Sequence, residues 1–418
     1  MMLRIAILLV IALSFTKLMA QERDLRAVED TVKAGEAATD QPKRALLKWN
    51  EFDNKFFWFR VSAGIILDAG TYQQDDASKE QVGKLESDWQ VRDFRVLLNG
   101  RIKSKRSITW SAGLMYDGAN NTWLVRQTGV MIGIPELKGN LWIGRAKEGI
   151  SLNMVMVGYA GWTMERSPMV VTTVPLLADG VKRLGYIPEK KLLYNLGWFT
   201  DMFSEGQSFS SYDNQFVARV GWLPIMQEKG KLLHVAVAGR YGTVNDRTLR
   251  LRSRPEFNIA PYFLDTGPFG ARSSWLAQTE VYYRPGPLLI GMEYFVQWVD
   301  ATEVGNPTFS GGDVSVCWLM TGETRKFNTA GGYFLQVSPA RPVFKGGLGA
   351  LEAVLKLSYT DLDDGAVHGG RFWRLTPMVN WYLTDHFRLE LNYGVGQLDD
   401  FGLIGTTQFF QSRLQFQF

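Results

Sequence analysis

Between Phe57 and Phe418, apolar and polar residues alternate again and again with a period of two, and that repeat limits what the chain can fold into. A period of two belongs to extended strands with one face in an apolar medium and the other in a polar one. In FRLELNYG (387–394), Phe387, Leu389, Leu391 and Tyr393 share one face and Arg388, Glu390 and Asn392 the other. LEAVLKLSY (351–359) sets Glu352, Lys356 and Ser358 apart, and WLAQTEVYYR (275–284) groups Gln278, Glu280 and Arg284. IGMEYFVQW (290–298) separates Glu293 and Gln297 from Ile290, Met292, Tyr294, Val296 and Trp298. The closing FFQSRLQFQF holds the pattern to the last residue, Phe418.

Alternation alone does not say which face is outside; the N-terminus and the aromatic residues do. Residues 1–20 carry a basic start at Arg4 and an apolar stretch from Ile5 to Phe15, which reads as a cleaved signal peptide. Residues 21–50 are charged and poor in aromatics, and are expected to form a short periplasmic extension. The rest, 51–418, holds no apolar run long enough for a membrane helix. It is rich in aromatics and glycine: the chain has 25 Phe, 15 Tyr, 14 Trp and 42 Gly. Trp275, Trp298, Trp373 and Trp381 fall where lipid-facing stripes meet the membrane interface. An exported chain of this kind is expected to be all-β, a transmembrane antiparallel barrel in the bacterial outer membrane.

Sixteen strand segments are expected, near 57–69, 89–102, 105–117, 122–134, 138–147, 178–187, 190–201, 213–223, 231–243, 272–284, 287–300, 311–322, 348–361, 371–382, 386–397 and 408–418. Short turns at 134–137, 187–190, 284–287 and 384–386 alternate with long loops at 70–88, 148–177, 244–271 and 398–407. An even strand count with this alternation puts both termini on the periplasmic side, and only 323–347 is long where a short turn is due. Sixteen strands are expected to enclose an aqueous lumen, and the 148–177 loop is expected to fold inward and narrow it.

With lipid-facing stripes outward, the lumen wall carries Arg60, Arg95, Arg219, Arg240, Arg284, Lys356, Arg374, Arg388 and Arg413 against Asp93, Glu280, Glu293, Glu352 and Glu390. That excess of about four positive charges favours anions in a narrow, low-dielectric pore. The constriction loop and its flanks add Arg145, Lys147, Glu165 and Arg166. The expected function is a passive channel for small solutes that favours anions. The alternative is a general porin with weak charge selectivity. No enzyme is expected: no nucleotide or hydrolase motif occurs, and His234 and His386 have no nearby nucleophile. The single Cys317 and three scattered histidines provide neither a disulfide framework nor a metal set, so no cofactor or metal is expected. A formal net charge of +4 on 418 residues argues against nucleic acid as a partner.

GRAKEGISLN (144–153), MERSPM (164–169), WLMTGETRKFN (318–328), GYFLQVSPARPVF (332–344), LGALEAVLKLSYTDLDDG (348–365) and QSRLQFQF (411–418) together resemble the phosphate-selective porin family of Gram-negative outer membranes, the O and P type. The resemblance implies a sixteen-stranded barrel, a homotrimer, inward-folded loops and an anion path lined by Arg and Lys, with phosphate or polyphosphate among the permeants. It also implies a periplasmic place for 323–347, and Phe418 as the residue read by the barrel assembly machinery. The loop bases Arg247, Arg250, Arg252 and Arg254 either feed anions inward or bind lipopolysaccharide phosphates at the rim, beside the surrounding outer-membrane lipid. The 148–177 loop holds only Arg166 as a base, with Lys182 and Arg183 following, fewer than the dense cluster on which phosphate specificity in the family rests.

Overall fold

The computed structural model describes residues 48–201, 211–227 and 230–418; the expected signal peptide and nearly all of the expected extension lie outside the described residues. Sixteen barrel strands follow in chain order. They are β1 (Phe57–Gln74), β2 (Asp88–Ile102), β3 (Ile108–Asp117), β4 (Thr122–Val125 continued by Thr128–Ile134), β5 (Gly139–Ala146), β6 (Ala178–Ile187), β7 (Leu192–Thr200) and β8 (Tyr212–Met226). Then come β9 (Lys231–Val244), β10 (Ser273–Pro285), β11 (Leu288–Asp300), β12 (Thr308–Leu319), β13 (Ala350–Asp364), β14 (Val367–Tyr382), β15 (Phe387–Asp400) and β16 (Leu403–Gln417). Each is antiparallel to its neighbours, and β16 closes the sheet on β1 from Gly64↔Gln417 to Gln74↔Thr407. Closure leaves no long edge to aggregate. It also ties down the C-terminus, where Phe418 and Ala63 exchange backbone hydrogen bonds.

The outer and inner faces are those the alternation assigns. Leu391, Tyr294, Trp275 and Trp298 stand exposed on the wall while Arg388, Glu390, Glu293 and Gln297 are buried inside. Two bulges adjust this parity. One extra residue in β4 at Arg126–Gln127 breaks the strand expected to be continuous over 122–134, so Leu124 points inward but Val130 outward. In β2 a shift at Arg92 lets the consecutive side chains Arg92 and Asp93 both serve the lumen.

Turns at residues 103–107, 135–138, 188–191 and 383–386 share the end of the barrel with both of its termini. The expected long loop at 398–407 does not form. Strands β15 and β16 run on to a two-residue turn, Phe401–Gly402, in which both residues have positive φ (51° and 81°). That geometry matches the twist of a tight hairpin.

The lumen departs most from expectation. Segments 147–177 and 245–272 enter from one end, and 320–349 from the other. Their apolar side chains, among them Met169, Phe257 and Leu264, pack against inward residues of the wall such as Phe295, Phe309, Phe372 and Phe409. Trp162 meets Tyr282 and Phe334, so the constriction segment touches the periplasmic connection inside the barrel. Much of the space beside β8–β16 is therefore packed core, not water. The connection expected to lie on the periplasmic side buries Arg325 and Phe334 within.

Candidate pore constriction and anion path

Segment 147–177 crosses the lumen with few regular backbone partners of its own, so its peptide groups need partners from the wall. Charged wall side chains provide them, sorted by sign. Glu280 Oε2 accepts from the Leu152 amide and Glu293 Oε1 from the Asn153 amide, both at 2.8 Å, at the start of the short helical turn Leu152–Val155. From β13–β16, cations and amides take the carbonyls. Arg388 donates to Gly161, Arg413 to Met164, Lys356 to Glu165, Asn380 to Trp162 and Gln415 to Tyr159. These inward residues, legible as a pore lining, act first as sockets for a loop.

The positive excess expected of the wall is largely cancelled. Arg95 pairs with Asp93, Arg219 with Glu280, Arg240 with Glu148, Lys356 with Glu256, and Arg388 with Glu390. Arg413 is held by Asp68 at 2.6 Å and also by Glu165. Three of these acids, Glu148, Glu165 and Glu256, come from the inward loops, which strand alternation could not reveal. Arg374 donates to the Pro255 carbonyl and Gln411, Arg284 donates to the Arg325 carbonyl, and Arg60 is half-buried. A further pair that sequence reasoning missed, Arg325–Glu352, lies fully buried with Tyr382 on the same carboxylate.

Of the four residues expected at the constriction, Arg145 sits on the wall itself. It ends strand β5, where Asp179 of β6 grips it in a two-point pair at 2.7 and 2.9 Å. Glu165 bridges Arg92 and Arg413, and these cations hold its carboxyl far below the usual range despite burial. Lys147 and Arg166 do converge. Lys147 Nζ donates to the Met156 carbonyl at 2.6 Å, Arg166 Nε to Asn153 at 2.9 Å, and Lys182 Nζ to the Lys147 carbonyl at 2.8 Å. Arg126, delivered by the β4 bulge, and Arg95, stacked 4.4 Å over the Tyr159 ring, join them. Burial, and then the charges of Arg166, Arg126, Arg95 and Lys182, push the Lys147 ammonium well below the lysine range. Among the described residues Lys147, Arg126, Arg166 and Lys182 make no ion pair. The cluster is five cations with one direct ion pair, Arg95–Asp93, and with the carboxylates of Glu148 and Glu165 near Lys182 and Arg166; its signal in the sequence was only the scattered bases flanking one loop.

The outer-loop arginines are mostly tied down. Arg252 and Arg254 stack on Tyr262 at 4.4 and 4.7 Å, and Arg250 pairs with Asp265; Arg247 is exposed. Among the described residues no group of acids, histidines or cysteines is arranged to hold a metal.

A barrel with three inward segments and a buried cluster of cations finds its match in a known family. The model for phosphate-selective porin O and P covers residues 61–418. The chain belongs to this family. It is an outer-membrane channel protein of the porin class. Solved structures with the same fold include OmpF of Salmonella typhi in complex with daunomycin (TM-score 0.56, 10% identity, 88% of this chain and 100% of that one). An anion-selective porin from Comamonas acidovorans is similar to a comparable degree (TM-score 0.53, 10% identity, 87% and 100%). An uncharacterized protein of Caulobacter vibrioides is 29% identical over 167 residues, 39% of this chain and 34% of that relative's length.

Proposed function

We propose that this porin is a passive, non-enzymatic channel, working as a homotrimer, that favours small anions, phosphate among them. The observation that carries the reading is the cluster of Arg95, Arg126, Lys147, Arg166 and Lys182 around the inward segment, which outnumbers the acids beside it, Asp93, Glu148 and Glu165. Buried cations without counter-ions are costly, and a permeating anion relieves that cost. Arginine forks suit the two-point geometry of phosphate oxygens and stay charged at all working pH values. The membership of the phosphate-selective family supports the same reading.

The pairing of the other wall bases supports a second reading, a general porin of weak selectivity. The two differ in one measurement, the reversal potential of the reconstituted protein in a planar bilayer under a KCl gradient, repeated with added phosphate. An anion-directed potential with block by phosphate at low concentration is expected. A potential near zero without phosphate block would leave the general porin.

A further inference from the structure

The outer wall carries a feature that a channel does not need. A groove of about 590 Å³ runs over strands β5–β10, lined by Leu141, Val181, Leu196, Trp198, Phe216 and Trp275. Its floor is low because Ala218 and Gly239, cross-strand partners, are both small. Aromatics stand over it, with Phe216 and Trp275 more than half exposed. Arg183 lies inside this apolar lining. It pairs across the sheet with Leu141 and Leu196, residues of the same groove, whereas its neighbour Lys182 turns into the lumen.

An arginine on the lipid face destabilises a barrel by roughly 2–4 kcal/mol at mid-membrane and by about 0–1 kcal/mol near the interface. Arg183 lies at the periplasmic end: its Nη2 donates to the carbonyl of Leu137, in the turn on the side of both termini. Its guanidinium rests 5.2 Å from the Tyr194 ring centroid, and its Nη1 makes no hydrogen bond among the described residues. The fork is thus held in place with an N–H left over, at the foot of an apolar groove.

We propose that this groove binds one phospholipid of the periplasmic leaflet, its phosphate on Arg183 and an acyl chain over Ala218 and Gly239. Charge selects the occupant: a neighbouring apolar protein surface would leave the arginine without a counter-ion. Depth selects the leaflet, since Arg183 reaches the periplasmic turn and not the end where lipopolysaccharide phosphates lie.

The test is native mass spectrometry of the full protein, purified in detergent and titrated with dioleoylphosphatidylglycerol. One lipid per protomer is expected to be retained. Arg183→Leu should weaken it at least about fivefold, from the ~1 kcal/mol of one interfacial cation. Gly239→Leu should do the same without touching the charge. A Cβ there would meet only the Leu276 carbonyl at 3.6 Å, so the variant fills the groove and not the core. Heat-modifiable electrophoretic mobility verifies folding, and Met292→Leu, outside the groove, should leave lipid retention unchanged. Wild-type retention in both groove variants overturns the proposal. So does Gly239→Leu separating the protomers with retention intact, which makes the groove a subunit contact. Displacement of the lipid by lower concentrations of lipopolysaccharide assigns the groove to the other leaflet and equally overturns it.

Discussion

Replacing Lys147 with methionine keeps most of the side chain and removes one of the five clustered cations. Taking an effective dielectric constant of ~20, a unit charge about 7 Å from a permeating anion contributes about 2.4 kcal/mol, or roughly fiftyfold in occupancy. This is an upper bound for two reasons. Salt screens it, over about 10 Å at 0.1 M but only about 3 Å at 1 M. Burial and four neighbouring cations also depress the lysine, so part of the population is already neutral as pH rises. The expected result is a reversal potential for Lys147→Met displaced toward zero at 0.1 M salt, with phosphate block weakened up to fiftyfold, and the two proteins converging in 1 M salt. The pH dependence sharpens the test. Wild-type anion preference should fall on alkalinisation below the ordinary lysine range, while Lys147→Met falls less steeply, with Lys182 still titrating in the same cluster, and Lys147→Arg retains higher selectivity than wild type. Unchanged reversal potential and phosphate sensitivity in Lys147→Met at acid pH and 0.1 M salt would refute the placement of the anion site.

The same lysine makes a stability prediction. Its folded state binds the proton less tightly than the unfolded chain, so resistance to urea should rise with pH between the depressed value and the ordinary one near 10.4, and less so in Lys147→Met. Arg325→Leu leaves the Glu352 carboxylate buried without its cation, and should lower stability by about 3–5 kcal/mol in urea unfolding followed by tryptophan fluorescence. Gly64→Val should leave the barrel folded but alter single-channel conductance, because a Cβ there would lie 2.5 Å from the Tyr159 ring and must push the constriction segment off β1. A wild-type conductance in that variant would mean that Tyr159 does not border the path.

The barrel was legible because its constraint is local. Each strand must satisfy lipid on one side, so Leu389, Leu391 and Tyr393 alternate with Arg388, Glu390 and Asn392, and any stretch of nine or ten residues declares its faces. Strand β6 was found to the residue at 178–187. Errors clustered where a turn or a bulge decides: the Phe401–Gly402 hairpin looked like a loop because Asp399, Asp400 and Gly402 are turn residues, and the extra residue at Arg126–Gln127 left no mark in the pattern.

The constriction was only half legible. Lys147 and Arg166 could be placed near it, because a long loop after β5 has little room except inward. The pairing of Arg145 could not be read, since its partner Asp179 lies across a strand pair that only register defines. Nor could the charge of the pore be counted. Glu165 bridges Arg92 and Arg413, and Glu256 pairs with Lys356, through loops whose paths depend on hundreds of intervening residues. Alternation along a strand determines membrane location, strand count and which side chains face inward, because lipid acts on each residue separately. Which of those inward charges stay unpaired was decided by tertiary structure alone, because pairing inside a barrel depends on distances between segments remote in sequence.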